Sequence, residues 1–251
     1  MSNVGLYLGT FNPIHNGHVT LAKYFSELPE LDQVLVVISP QSPFKIEDTF
    51  INDIERLELA KTVFKNFKNV KVSDIEFKMS RPNFTIDTLK EFKKRHEYNN
   101  LILLIGEDNL VGFNKWKDYE EIIEIAEVYV YPRDTEHKIP DEILKNSNIK
   151  LVDAPKIKIS SSHIRYLLKE DQKIDHLVPK EVISFLNSKT SKFLVSIFLI
   201  FAYFFSALSI SEVFEDYIDD EKIKNAAIKT LNIVAIFIPL ITIIIIFNLG
   251  L

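Results

Sequence analysis

Cysteine is absent from all 251 residues, which excludes a disulfide framework and any thiolate metal site. An excess of positive charge is absent too, with 30 lysines and arginines against 35 aspartates and glutamates. Residues 1–190 hold 26 of the basic and 29 of the acidic side chains, so they lack the basic footprint by which proteins grip nucleic acid. No nucleic-acid partner is predicted. The N-terminus lacks a basic stretch followed by a long apolar core, so it reads as a strand and not as a signal peptide. Repeats and low-complexity runs are missing through residue 189, and there is a single tryptophan, Trp116.

What is present alternates. Apolar runs of strand length recur at 4–9, 33–39, 70–74, 101–106, 128–131 and 149–152. Segments of helical period lie between them, at 17–28, 51–66, 85–96 and 118–126. Strands apolar on both faces, separated by amphipathic helices, predict a Rossmann-like α/β domain with helices on both faces of a parallel sheet. In "DIERLELAKTVF" the spacing puts Ile54, Leu57, Ala60 and Phe64 on one buried stripe.

Beyond residue 190 the pattern changes. Residues 193–210 and 231–251 contain no charged side chain. Each run is long enough to cross a hydrocarbon layer of roughly 30 Å as a helix. A helix apolar all round cannot show a polar face to water. The expectation is a domain over 1–190 followed by a two-helix transmembrane hairpin over 191–251, with the lipid bilayer as partner. Three lysines precede the first span (180, 189 and 192) and three lie between the spans (222, 224 and 229), so the positive-inside rule does not orient the hairpin.

Two motifs carry chemistry. "GTFNPIHNGH", Gly9 to His18, follows the first strand and opens the first helix. Ligands of open α/β sheets bind beyond the carboxyl ends of strands, where helix N-termini offer N–H groups to anions. His15 and His18 would add imidazole donors there, and Gly9 and Gly17 would let backbone approach a phosphate. A zinc site on the two histidines would need a third ligand, and none stands nearby in sequence. The second motif is "ISSSHIR", Ile159 to Arg165. Ser160 or Ser161 caps a helix there, and Arg165 brings a planar fork of donors suited to phosphate oxygens.

Together the two motifs resemble those of the nucleotidyltransferase superfamily, and of its nicotinate-nucleotide adenylyltransferases in particular. The resemblance spans residues 4 to about 188 and includes "SPQSPFK" (39–45), "RPNFTIDTL" (81–89), "GEDNL" (106–110) and "FNKWKDY" (113–119). It implies transfer of the adenylyl group of ATP to nicotinate mononucleotide, with Mg2+ accompanying ATP and no metal held by the protein. It implies catalytic roles for His15, His18 and Arg165, and phosphate contacts from Gly9, Thr10, Phe11, Gly17, Lys45, Ser161 and Ser162. The mononucleotide would be held by Thr85, Asp108, Trp116 and Tyr119. Glu107 departs from the family, which has a small residue between its glycine and aspartate.

Related chemistries fit less well. Pantetheine-phosphate adenylyltransferases carry threonine in place of His15, cytidylyltransferases have a different second motif, and "FNKWKDY" favours the nicotinate enzyme over both. The choice between the acid mononucleotide and its amide rests on backbone donors that a sequence does not show. "HNGH" and "KMSRP" (78–82) also resemble tRNA ligase signatures, but only about sixty residues separate them and "ISSSHIR" already fills the second role. A membrane-bound nucleotide sensor without turnover is a further alternative, suggested by the tail. Because ATP is cytosolic, the expected arrangement is a cytoplasmic catalytic domain tethered to the inner membrane.

Overall fold

The computed structural model describes residues 2–43, 50–95, 100–135 and 138–248. Its elements run β1 (Asn3–Gly9), α1 (Asn16–Ser26), β2 (Gln33–Ile38), α2 (Asp53–Phe64), β3 (Val70–Ser73), α3 (Thr85–Lys94), β4 (Asn100–Gly106) and α4 (Glu107–Leu110). Then come α5 (Tyr119–Ile125), β5 (Ala126–Tyr131), α6 (Asp141–Leu144), β6 (Ile149–Leu151), α7 (Ser161–Lys169), α8 (Lys180–Tyr217) and α9 (Glu221–Asn248). The six strands form one sheet in the order β3-β2-β1-β4-β5-β6. Every pairing is parallel.

The strands were readable because burial on both sheet faces leaves no polar alternation. Val34 through Ile38 and Leu101 through Ile105 are all buried. The main core cluster joins Val4, Leu6, Leu35, Val37, Leu101, Leu103 and Val128 of the sheet to Ile86, Leu89 and Phe92 of α3 and Ile122 of α5. The strand order reverses direction between β1 and β4, which makes a crevice at their carboxyl ends.

One predicted stripe needs correction. Ile54 is 65% exposed, while Leu57, Leu59, Ala60, Val63 and Phe64 are buried. Asn52 caps α2 in a capping box with Glu55, and Ile54 sits in that first turn, where it projects to solvent. The buried stripe starts one turn later and includes the cation Arg56.

The chain divides into two units, one up to Ile183 and one from Ser184. The division falls inside α8 and not at residue 190. In the second unit α8 and α9 are joined by residues 218–220, and both helices are long and apolar enough to cross a membrane. They are not core helices, since Phe198, Phe201, Phe205, Ile236 and Phe237 are all exposed. Ala202, Ser206 and Ala207 face Leu231, Val234 and Ala235 across a small cavity between the two helices.

Candidate active site

A cavity of about 950 Å³ opens at the carboxyl end of the sheet. β1 ends at Gly9, and Phe11 then adopts a left-handed backbone (φ 48°), a conformation uncommon for a bulky side chain. Its ring meets His18 edge-on at 4.8 Å and Tyr7 at 5.4 Å. This tight turn delivers His15 to the N-cap of α1.

His15 and His18 form a reciprocal cap. The backbone N–H of His18 donates to Nδ1 of His15 (3.3 Å), and that of His15 donates to Nδ1 of His18 (3.2 Å). With each Nδ1 accepting, the proton of each neutral ring sits on Nε2. Burial, reinforced by the charge of Arg133, pushes the pKa of His15 down to about 3. Gly17 is favoured by close approach, because a Cβ there would overlap the side chain of Ile157.

The second motif meets the first. Ser160 caps α7 by accepting from the backbone N–H of His163 (3.2 Å). Ser161 Oγ donates to the carbonyl of Pro13 (2.9 Å), and Arg165 donates to the carbonyl of Asn12 (2.8 Å) and to Ser162 Oγ (3.4 Å). Segments some 150 positions apart therefore share one wall. Gly9, Thr10, Phe11, His15, Gly17, His18, Ser161, Ser162 and Arg165 line the cavity on this side. Thr85, Asp108 and Trp116 line it too. Trp116 also packs on Phe113, with ring centroids 5.2 Å apart, so it serves core and cavity at once. Tyr119 is not among the lining residues; it packs on Phe113, and its hydroxyl donates to Glu120. Lys45 lies outside the described residues.

The cytidylyltransferase-like family matches residues 6–167. A "probable nicotinate-nucleotide adenylyltransferase" of Flavobacterium johnsoniae is 38% identical over 184 residues, 73% of this chain and 95% of the relative. The chain belongs to the nicotinate-nucleotide adenylyltransferase family. A protein of the same printed name from Flavobacterium psychrophilum is 39% identical with the same coverage. So little of these relatives is left unmatched that they have no room for a counterpart of the whole remaining quarter of the chain. Among solved structures, a Plasmodium falciparum nicotinic acid mononucleotide adenylyltransferase complexed with NaAD superposes with a TM-score of 0.62. It is 22% identical and covers 74% of this chain and 96% of that one, a likeness of fold.

For a member of this family, three charged residues were not legible in the motifs. Arg56 is buried, and its guanidinium donates to the carbonyls of Thr10, Ser39 and Pro40. It thereby ties the end of β1 to the end of β2. Burial pushes its pKa down. Arg133, just past β5, donates to the carbonyls of Ile157 and Ile159 (3.2 and 3.1 Å) and lies 3.6 Å from Asp108. Glu107 accepts the backbone N–H of Arg133 (3.0 Å), so it braces the arginine next to Asp108. Glu76 is buried, with one carboxylate oxygen accepting from Thr88 Oγ1 (2.7 Å) and the other lacking a partner. Burial raises its pKa, and the hydrogen bond from Thr88 acts against that shift. Among the described residues no three His, Asp or Glu side chains converge to hold a metal ion.

Proposed function

We propose that the chain transfers the adenylyl group of ATP to nicotinate mononucleotide, forming nicotinate adenine dinucleotide and pyrophosphate. The observation that carries this reading is the junction of the two motifs around one cavity, through Arg165 on Asn12 and Ser161 on Pro13. An oxygen of the mononucleotide's phosphate attacks the α-phosphorus of ATP. The bond from that phosphorus to the bridging oxygen of the β-phosphate breaks, and pyrophosphate leaves. No protein nucleophile takes part, so catalysis consists of positioning and charge stabilisation.

In this reading His15 and His18 present Nε2–H donors to the phosphates. His15 acts as a neutral dipole, because burial keeps it unprotonated. Arg165, Ser161 and Ser162 close on the triphosphate, with Gly9, Thr10, Phe11 and Gly17 shaping the floor. Asp108, steadied by Arg133, accepts from a ribose hydroxyl, and Trp116 stacks on the pyridine ring beside the first turn of α3 at Thr85. Tyr119 contributes through its backbone alone. Magnesium comes with ATP as the triphosphate's counter-ion, held by phosphate and water.

The hairpin of α8 and α9 spans a bilayer in the same reading, and this explains why its large apolar side chains have no protein cover. Cytosolic ATP orients it: both ends of the hairpin face the cytoplasm and the acidic turn faces outward.

The deciding assay measures pyrophosphate release from ATP with nicotinate mononucleotide, its amide and phosphopantetheine offered side by side. The acid mononucleotide is expected to react fastest, and preference for either of the others overturns the substrate assignment. Protease digestion of inverted membrane vesicles is expected to cut the catalytic unit. A shielded unit overturns the orientation.

A further inference from the structure

We infer that Lys117 sets the preference for a mononucleotide whose ring bears a carboxylate over one whose ring bears an amide. The inference rests on the function proposed above and names a residue that neither motif contains. Phe84, Thr85, Trp116 and Lys117 line one stretch of the cavity wall. α3 begins there with Phe84 as its N-cap residue and no side chain capping the first turn. An uncapped first turn favours an anion through its N–H groups and its partial positive charge.

The ammonium of Lys117 stands over this helix end. Its Nζ lies 2.9 and 3.2 Å from the two carboxylate oxygens of Asp87, the third residue of α3, and 4.8 Å from the centroid of the Phe84 ring. The four arginines on the cavity wall bind elsewhere. Arg56 holds three carbonyls, Arg133 holds two, Arg165 holds that of Asn12, and Arg81 pairs with Asp53 at the start of α2 (2.6 Å).

An ammonium carries three donors, so Lys117 can keep Asp87 and still take a second carboxylate. The Lys117–Asp87 pair is half exposed, with side-chain exposures of 43% and 41%, and such pairs hold weakly enough to exchange partners. A ring carboxylate placed beside Trp116 would meet both the helix end and the ammonium. A carboxamide of the same shape is neutral and gains little from either.

The test compares wild type, Lys117→Met and Lys117→Arg in the full chain. Pyrophosphate release is measured with nicotinate mononucleotide and with nicotinamide mononucleotide at saturating ATP, and the KM for ATP is measured separately. Lys117→Met should lower the acid-over-amide ratio of kcat/KM by about tenfold, the scale of one charge-assisted hydrogen bond. The loss should appear in KM for the acid, while the amide and ATP constants stay within about twofold. Lys117→Arg should keep most of the ratio. An unchanged ratio in Lys117→Met, or equal losses on both mononucleotides, overturns the inference while leaving the proposed function intact. A wild-type chain that turns over neither mononucleotide overturns the function and this inference together.

Discussion

The rings of His15 and His18 stack at 3.6 Å, inclined by only 18°, while each accepts the other's backbone N–H. One pair of side chains therefore ends a helix and fixes two ring tautomers. Structural and chemical duties fall on different nitrogens of the same ring, and suitable substitutions can separate them.

An asparagine at position 18 places an acceptor near the site of Nδ1 and nothing near that of Nε2. His18→Asn should keep its stability within about 0.5 kcal/mol of wild type, the usual spread for surface-level changes. Its turnover should fall about a hundredfold, as for loss of one preorganised donor. His18→Ala should show the same loss of turnover and also lose about 1 kcal/mol as the exchange of caps breaks. Urea unfolding read beside kcat checks both. Wild-type turnover in His18→Asn removes Nε2 from the chemistry.

His15 should make stability depend on pH. Its native pKa is about 3, against about 6.5 for an unfolded chain. Between these values the unfolded state binds a proton that the native state refuses, so stability rises with pH there. The contribution is fully present above about 6.5 and is lost as pH falls toward 3, at up to about 1.4 kcal/mol per pH unit. His15→Asn should flatten this slope between pH 6.5 and 4.5 in urea midpoints. An equal slope in both proteins assigns the dependence to another group.

Glu76 carries the opposite sign. Burial raises its native pKa, so its contribution is fully present below the unfolded value and is lost as pH rises through the native one. Glu76→Gln, which retains an acceptor for Thr88 and cannot ionise, should match wild type near pH 4. It should exceed wild type by about 1 kcal/mol at pH 8, where the buried carboxylate is otherwise charged with one oxygen unpartnered. Thermal melts at the two pH values decide this, and a variant less stable than wild type at pH 8 contradicts it.

Arg56→Ala should destabilise by about 3 kcal/mol, because three carbonyls lose a charged donor in a buried place. Arg56→Lys should recover only part of this, since an ammonium lacks the planar fork that spans Thr10, Ser39 and Pro40. The order wild type, lysine, alanine in urea midpoints is the expected result. A lysine variant equal to wild type shows that charge alone, without the fork, holds the loops.

What could be read from the sequence followed the kind of contact each residue makes. The strands were legible because two-sided burial writes continuous apolar runs. The two motifs were legible because a reciprocal cap and a serine cap need particular residues within four positions of one another. Arg56, Arg133 and Glu76 were hidden because their partners are backbone carbonyls or distant side chains, which leave no local spacing. Ile54 misled because helical period does not say where the first exposed turn gives way to the buried stripe. The seam near residue 190 came from a change of composition, whereas α8 runs through it without a break.

β1 is bonded to β2 on one side and β4 on the other, and the cavity opens where it stops. Both flanks of the cavity are thus referenced to a single rod, like two jaws on one fixed pin. A substitution that distorts β1 near Gly9 is therefore expected to disturb both walls at once, because each neighbouring strand is hydrogen-bonded to that one strand.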